Sequence, residues 1–208
     1  MARVTGGLAE FTSGKLGNVV FVKREGKTYV RMAPEYTKDS WTPRQKQHRE
    51  RFRLVNSFCL QFKFNIIKPI WNLKPGSGSG YNRFIKANMP AFGLDGKLVD
   101  KSGLHFSDGV LPVPYHFTVE KSEMGANKIA VSWENDMLMS SVYEKDDLLL
   151  VTSFGERFNG PYNTGKKRSE LKAILELPAE SSPVLAVYLF FASYDRKKYS
   201  PDKYFELK

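Results

Sequence analysis

The chain of 208 residues carries 32 Lys+Arg against 22 Asp+Glu, a net charge of +10, with 41% hydrophobic residues and a single cysteine. That length can bury one sizeable core, or a main core with a smaller unit beside it; the lone Cys59 excludes an internal disulfide, and no apolar run approaches the ~20 residues of a membrane-spanning helix. The surplus charge is uneven, with 15 Lys+Arg and 5 Asp+Glu in residues 1 to 75 but 17 of each in residues 76 to 208. Such asymmetry points to a nucleic-acid, membrane-surface or other anionic partner for the leading third, or to a solvated basic surface that keeps the chain soluble. No apolar signal-like stretch follows Met1, which implies a cytoplasmic location.

Met1 to Gly17 contains four glycines and no helical pattern, and reads as an extended arm. From Asn18 the run NVVFV, the polar turn KREGK with Gly26 able to take positive φ, and the run TYVR predict a β-hairpin. Pro34 stops the pairing. Thr42, Pro43 and Gln45 then match a capped helix start. In the helix that follows, Phe52, Val55, Cys59, Phe62 and Ile66 share one face, while Lys46, Arg49 and Arg53 share roughly the opposite one. Pro69 is expected to end or kink it. KPGSGSG at residues 74 to 80 reads as a flexible connector, and Tyr81 to Asn88 as a short helix capped by Ser79 and stopped by Pro90.

Beyond about Phe92 the pattern becomes short apolar stretches divided by Gly, Pro and Asp. Ile129, Val131 and Trp133 alternate with polar or small residues, and Leu185 to Phe191 is apolar on both faces, as in a central strand. The fold class expected is α+β, predominantly β: residues 1-92 form a basic arm, hairpin and helical region, and residues 93-208 form an antiparallel β-sandwich.

No catalytic, metal or cofactor motif emerges. Gly7 and Gly14 are separated by six residues and Lys15 precedes Leu16, so the phosphate-loop spacing fails, and the segment leads into a strand where that loop must open a helix. Gly76, Gly78 and Gly80 follow no strand and miss the dinucleotide spacing; Ser169 to Lys172 fits S-x-x-K only as a short chance pattern. His48, His105 and His116 lack partners at metal-ligand spacing, and Cys59 lies on the apolar helix face. The acid pairs Glu134/Asp136 and Asp146/Asp147 flank strands, where turns use such side chains. What is left is electrostatic: Arg24, Lys27 and Arg31 on the hairpin, with Lys46, Arg49 and Arg53 on the helix, are the candidate contacts to an anionic partner. Stacking aromatics are not evident beside them, since Phe52, Phe58 and Phe62 follow the buried helix face.

The motifs GKLGNVVF at Gly14 to Phe21, YVR at Tyr29 to Arg31, TPRQ at Thr42 to Gln45 and YNRFIKAN at Tyr81 to Asn88 resemble an uncharacterised bacterial family, catalogued as a domain of unknown function. The resemblance covers most of the chain and implies no activity, cofactor or catalytic residue. Through VSW at Val131 to Trp133, VYLFFAS at Val187 to Ser193 and Ser200-Pro201 before Tyr204, the C-terminal part resembles a fibronectin type III or immunoglobulin-like module, which implies binding in place of catalysis; Leu177-Pro178 departs from the tyrosine-corner spacing of such modules. The leading expectation is a non-catalytic interaction or assembly protein whose basic N-terminal region contacts nucleic acid or a nucleoprotein. The alternatives are a structural subunit of a phage-like or other large assembly, whose N-terminal arm is ordered by a neighbouring subunit, and an enzyme whose site forms only in three dimensions.

Overall fold

The computed structural model describes residues 2–4, 13–35, 41–74, 76–122, 125, 127–135, 140–178 and 182–207. The middle of the expected arm, residues 5–12, and Asp136 of the acid pairs lie outside them. The chain divides into two compact units, Met1–Arg44 and Gln45–Lys208, each described by itself below.

In the first unit, strands β1 (Ala2–Val4), β2 (Gly14–Leu16), β3 (Val19–Arg24) and β4 (Lys27–Met32) form one antiparallel sheet in the order β1-β4-β3-β2. β3 and β4 are joined by Glu25 and Gly26, with φ of 52° and 72°. Positive φ at both central residues is the two-residue turn whose twist matches that of flanking strands, and Gly26 adopts it without steric cost. The two ends of the expected arm are not loose, because Ala2–Val4 pairs with β4 and Gly14–Leu16 with β3. Alternation is poor in this stretch since β-formers occupy both faces, so the extra strands had no period-2 signal to announce them.

In the second unit, composition alone suggested a change of character near Phe92, yet helices before that point and strands after it share one core. α1 (Pro43–Leu60) gives way, after a turn at Gln61 and Phe62, to a π-helical segment, Lys63–Trp71, followed by α2 (Gly80–Asn88). Val55, Cys59, Phe62 and Ile66 are buried, as their three- and four-residue spacing predicts. Phe52, placed on the same face by that spacing, is 47% exposed, because the helix there has run past the layer on which it packs and Pro43–Glu50 is exposed on every side. Pro69 does not end the helix but sits within the π-helical segment. There the amide N–H of both Ile66 and Ile67 donates to Phe62 O, at 3.1 and 2.9 Å, which opens the wider register that carries the chain past the proline.

β5 (Tyr115–Lys121), β6 (Lys128–Glu134) and β9 (Lys172–Glu176) form a three-stranded sheet in the order β5-β6-β9; β7 (Asp147–Ser153), β8 (Phe158–Lys167), β10 (Ala186–Ala192) and β11 (Lys203–Glu206) form a four-stranded one in the order β11-β10-β7-β8. All pairings are antiparallel, and a one-turn helix, α3 (Ser140–Tyr143), precedes β7. β7 and β10 are buried along their whole length. Leu149, Val151, Tyr188, Phe190 and Ala192 face Cys59, Phe62, Ile66, Trp71 and Phe84 of the helical layer, while Leu148, Leu150, Val187, Leu189 and Phe191 face Ile129, Val131 and Trp133 of the three-stranded sheet. The unit is thus three layers, helix on sheet on sheet, with the four-stranded sheet in the middle. The fold is α+β and mostly antiparallel β. Among the described residues no helix is long and apolar enough to cross a membrane.

Candidate anion-binding face

Register decides what the first unit presents. Arg24 lies opposite Lys27, Val22 opposite Tyr29 and Val20 opposite Arg31, and on the next strand Lys15 lies opposite Val20. Directly opposed residues share a face. One side of the sheet therefore carries Lys15, Arg24, Lys27 and Arg31 around Val20, Val22 and Tyr29; the other carries Leu16, Val19, Phe21, Val30 and Met32 with Lys23 and Thr28. At about 3.3 Å per residue, Lys27 and Arg31 stand roughly 13 Å apart, with Tyr29 midway.

The four cations are exposed. Arg24 comes within 3.9 Å of Glu25 with both side chains over 80% or near it in solvent, a pair that screening makes weak. Among the described residues no ion pair or hydrogen bond engages Lys15, Lys27 or Arg31. Sequence reading missed two members of this face. Lys15 needs the β2–β3 register to be placed, whereas Tyr29, half-buried between the cations, was legible from the Lys27, Tyr29, Arg31 spacing.

The structure places Arg24, Lys27 and Arg31 on one sheet face of the first unit, and Lys46, Arg49 and Arg53 exposed on the part of α1 that falls in the second. Arg53 donates twice to Glu50, at 2.9 and 2.6 Å; the hydrogen bond to Arg53 holds the Glu50 carboxyl below its ordinary value, and the same bond raises the arginine. Lys46 and Arg49 have interactions of their own.

The second unit holds a buried ionic cluster where turn carboxylates were expected. Asp146 and Asp147 are both buried at the start of β7. Asp147 accepts from Lys167 Nζ and, at 2.7 Å, from Arg196 Nη2. Arg168 is buried too: Nε donates to Asn135 Oδ1 at 2.9 Å, Nη1 donates to Pro112 O at 2.8 Å, and the guanidinium lies 5.2 and 5.1 Å from the rings of Tyr143 and Phe191. Asp146 Oδ2 lies 4.0 Å from Arg168 Nη1 and has no hydrogen-bond partner among the described residues. Burial pushes the Asp146 carboxyl up to about 6 against the opposing pull of Arg168, with Asp147 and Asp195 adding to the rise. These acids brace the fold from inside.

The remaining titratable candidates are structural in geometry. His105 Nδ1 lies 3.4 Å from Asp202 Oδ1, and the other Asp202 oxygen accepts from the Phe106 amide at 2.8 Å. Burial raises Asp202, and the bond to Asp202 raises His105. His48 is exposed on α1, and His116 sits in β5 at φ 47° and 3.9 Å from the exposed Glu134. Burial pushes the Cys59 thiol up to about 12, which removes it as a thiolate nucleophile near neutral pH. Among the described residues no three His, Cys, Asp or Glu side chains converge as a metal site. No family model matches the chain, and no curated protein matches it.

Proposed function

We propose that the chain is a non-catalytic interaction or assembly protein that presents the basic face of the β1–β4 sheet to an anionic macromolecule, with nucleic acid or a nucleoprotein as the leading partner and the cytoplasm as its setting. The observation that supports this reading is the sorting of Lys15, Arg24, Lys27 and Arg31 onto one side of the sheet. Four exposed cations on one face neutralise several phosphates together and release their counterions, which is the sequence-independent part of nucleic-acid binding. Two of the four motifs that resemble the uncharacterised bacterial family fall on these elements, since Gly14 to Phe21 covers β2 and the start of β3 and Tyr29 to Arg31 lies in β4; we read the chain as a member of that family.

We read residues 115 to 206 as a fibronectin type III-like scaffold. What supports this reading is two antiparallel sheets, β5-β6-β9 and β11-β10-β7-β8, packed face to face through a shared core. Trp133 and Tyr188, both in the stretches that carry the resemblance, are buried in the two cores flanking the middle sheet.

The test is titration of labelled DNA and RNA at about 50 and 200 mM salt. With four phosphate contacts, affinity is expected to fall about a hundred-fold on a duplex over that range, and Lys15, Arg24, Lys27 and Arg31 changed together to Ala should abolish binding. No binding at low salt by a folded protein sinks the proposal. A second reading, a structural subunit of a large assembly, draws on the opposite face of the same sheet, where Leu16 is 74% and Met32 68% exposed. Light scattering of Leu16→Ser and Met32→Ser proteins separates the two: loss of an oligomer favours the subunit, and a monomer throughout counts against it.

A further inference from the structure

The arrangement of the basic face says more than its charge. Two cationic ends, Arg24 with Lys27 and Arg31 with Lys15, bracket Tyr29 and Val22, and the β1 register sets Arg3 opposite Tyr29. Tyr29 is half-buried, on a strand that lies between β1 and β3. Resting on the reading of this face as the anionic-partner site, we infer that its partner is single-stranded nucleic acid, with a base stacked on Tyr29 and the flanking phosphates held by the two cationic ends.

A duplex keeps its base faces inside the stack and offers this surface only phosphates, so the tyrosine between the cations would contribute nothing to its binding. A single strand exposes both a π-face and a phosphate at each nucleotide, and an aromatic platform within a basic groove binds it with little regard to sequence. Roughly 13 Å between Lys27 and Arg31 leaves room for about one or two bases between the charged ends. Val20 and Val22 extend an apolar floor beside the ring, on which a neighbouring base or sugar can lie. An acidic protein surface would complement the charge but not the ring; a duplex would match the charge and leave the ring idle. Among anionic macromolecules only the single strand uses both features of the face.

Four probes of one length test this on the full chain: a single-stranded oligonucleotide, the same oligonucleotide with abasic sites, its duplex, and inorganic polyphosphate. The inference expects the intact single strand to bind at least ten-fold tighter than the other three. It expects Tyr29→Leu to weaken that strand by roughly 5- to 150-fold, the range of one stacked base, while leaving the abasic strand and the salt dependence unchanged. Tyr29→Phe, which keeps the ring, should bind as the parent does, and this variant guards against mere loss of folding. Equal binding of all four probes, with Tyr29→Leu silent and the fourfold Lys/Arg→Ala protein inactive, overturns the single-strand inference and leaves the anionic-partner reading standing. Failure of every probe to bind at low salt overturns both.

Discussion

Residues 1–44 carry 8 Lys+Arg against 4 Asp+Glu and residues 45–208 carry 24 against 18, so neither unit lacks cations. They differ in what the fold does with them. In the second unit Arg51 Nη2 donates to the carbonyls of Met89 and Phe92, at 2.8 and 2.7 Å. Arg83 donates to those of Trp71, Lys74, Gly76 and Gly78; Arg168 and Arg196 serve the cluster at Asp146 and Asp147; Lys74 pairs with Asp108. Three of those arginines, Arg51, Arg83 and Arg168, donate to backbone carbonyls. On the sheet of the first unit, no ion pair or side-chain hydrogen bond engages Lys15, Lys27 or Arg31 among the described residues. A charge surplus indicates a ligand surface only after the cations already engaged by the fold have been set aside.

The sharpest way to break that contrast is to truncate one arginine of each kind. Arg168→Ala removes two hydrogen bonds and two ring contacts from a buried guanidinium and leaves Asp146 without its nearest cation. The expected cost is about 3–5 kcal/mol, or roughly 10 °C in Tm for a chain of this size, read by thermal and urea denaturation. Arg31→Ala on the sheet should stay within about 0.5 kcal/mol. Equal costs at the two sites would erase the distinction.

Asp146 gives the same contrast a pH signature. Its carboxyl rises from an ordinary 3.8 to about 6 in the folded chain, so between those values the native state holds a proton that the unfolded chain has released. Stability contributed by this group is therefore present at low pH and lost as pH rises through that window, by up to about 3 kcal/mol. Asp202, also raised by burial, acts in the same sense, whereas Glu170 and Asp195, lowered by their hydrogen bonds, lose stability as pH falls below about 4.5. Asp146→Asn isolates the first effect. Urea denaturation at pH 4.5, 5.5 and 6.5 should show the variant gaining on the parent as pH rises; a constant difference would mean that Asp146 ionises as an ordinary carboxylate.

How much of this was legible depended on whether a single local pattern carried it. The buried face that runs from Val55 in α1 to Ile66 in the π-helical segment, the Ser79-capped α2 and the wholly buried β10 each follow from spacing or apolar content within one segment. Phe52 misled because helical spacing says which residues share a face and not where the packing layer ends. The cluster at Asp146 and the basic face were hidden for a common reason. Arg168 reaches Asn135 and Pro112 across 33 and 56 residues, and Lys15 joins Arg31 only through Val20, so tertiary geometry or register creates both. The connector at residues 74 to 80 looked open because its composition is that of a linker, and the residue that engages its carbonyls lies in the next helix.

That connector supplies a prediction of intermediate size. Arg83→Met keeps the length of the side chain but removes the donors to four carbonyls, and its expected cost is about 2 kcal/mol with faster proteolytic cleavage between residues 74 and 79. Unchanged cleavage would mean that the loop is held by its own backbone.

The smallest expected effect is the most telling for function. Lys15, Arg24, Lys27 and Arg31 changed together to Ala remove four like charges from one sheet face and break no buried side-chain hydrogen bond or ion pair among the described residues, so stability should move by less than about 1 kcal/mol in either direction, with relieved repulsion offsetting lost side-chain packing on the strands. A body arginine changed alone should cost more than these four together. If the fourfold variant instead unfolds, the cations are holding the sheet, in the way that Arg168 holds the three-layered unit, and the case for a charged ligand fails on stability grounds before any binding is measured. A folded variant with an unmoved Tm means that the sheet carries four charges its own stability does not require, and the titrations with nucleic acid then decide between a partner and a solvating surface as the reason for gathering them on one side.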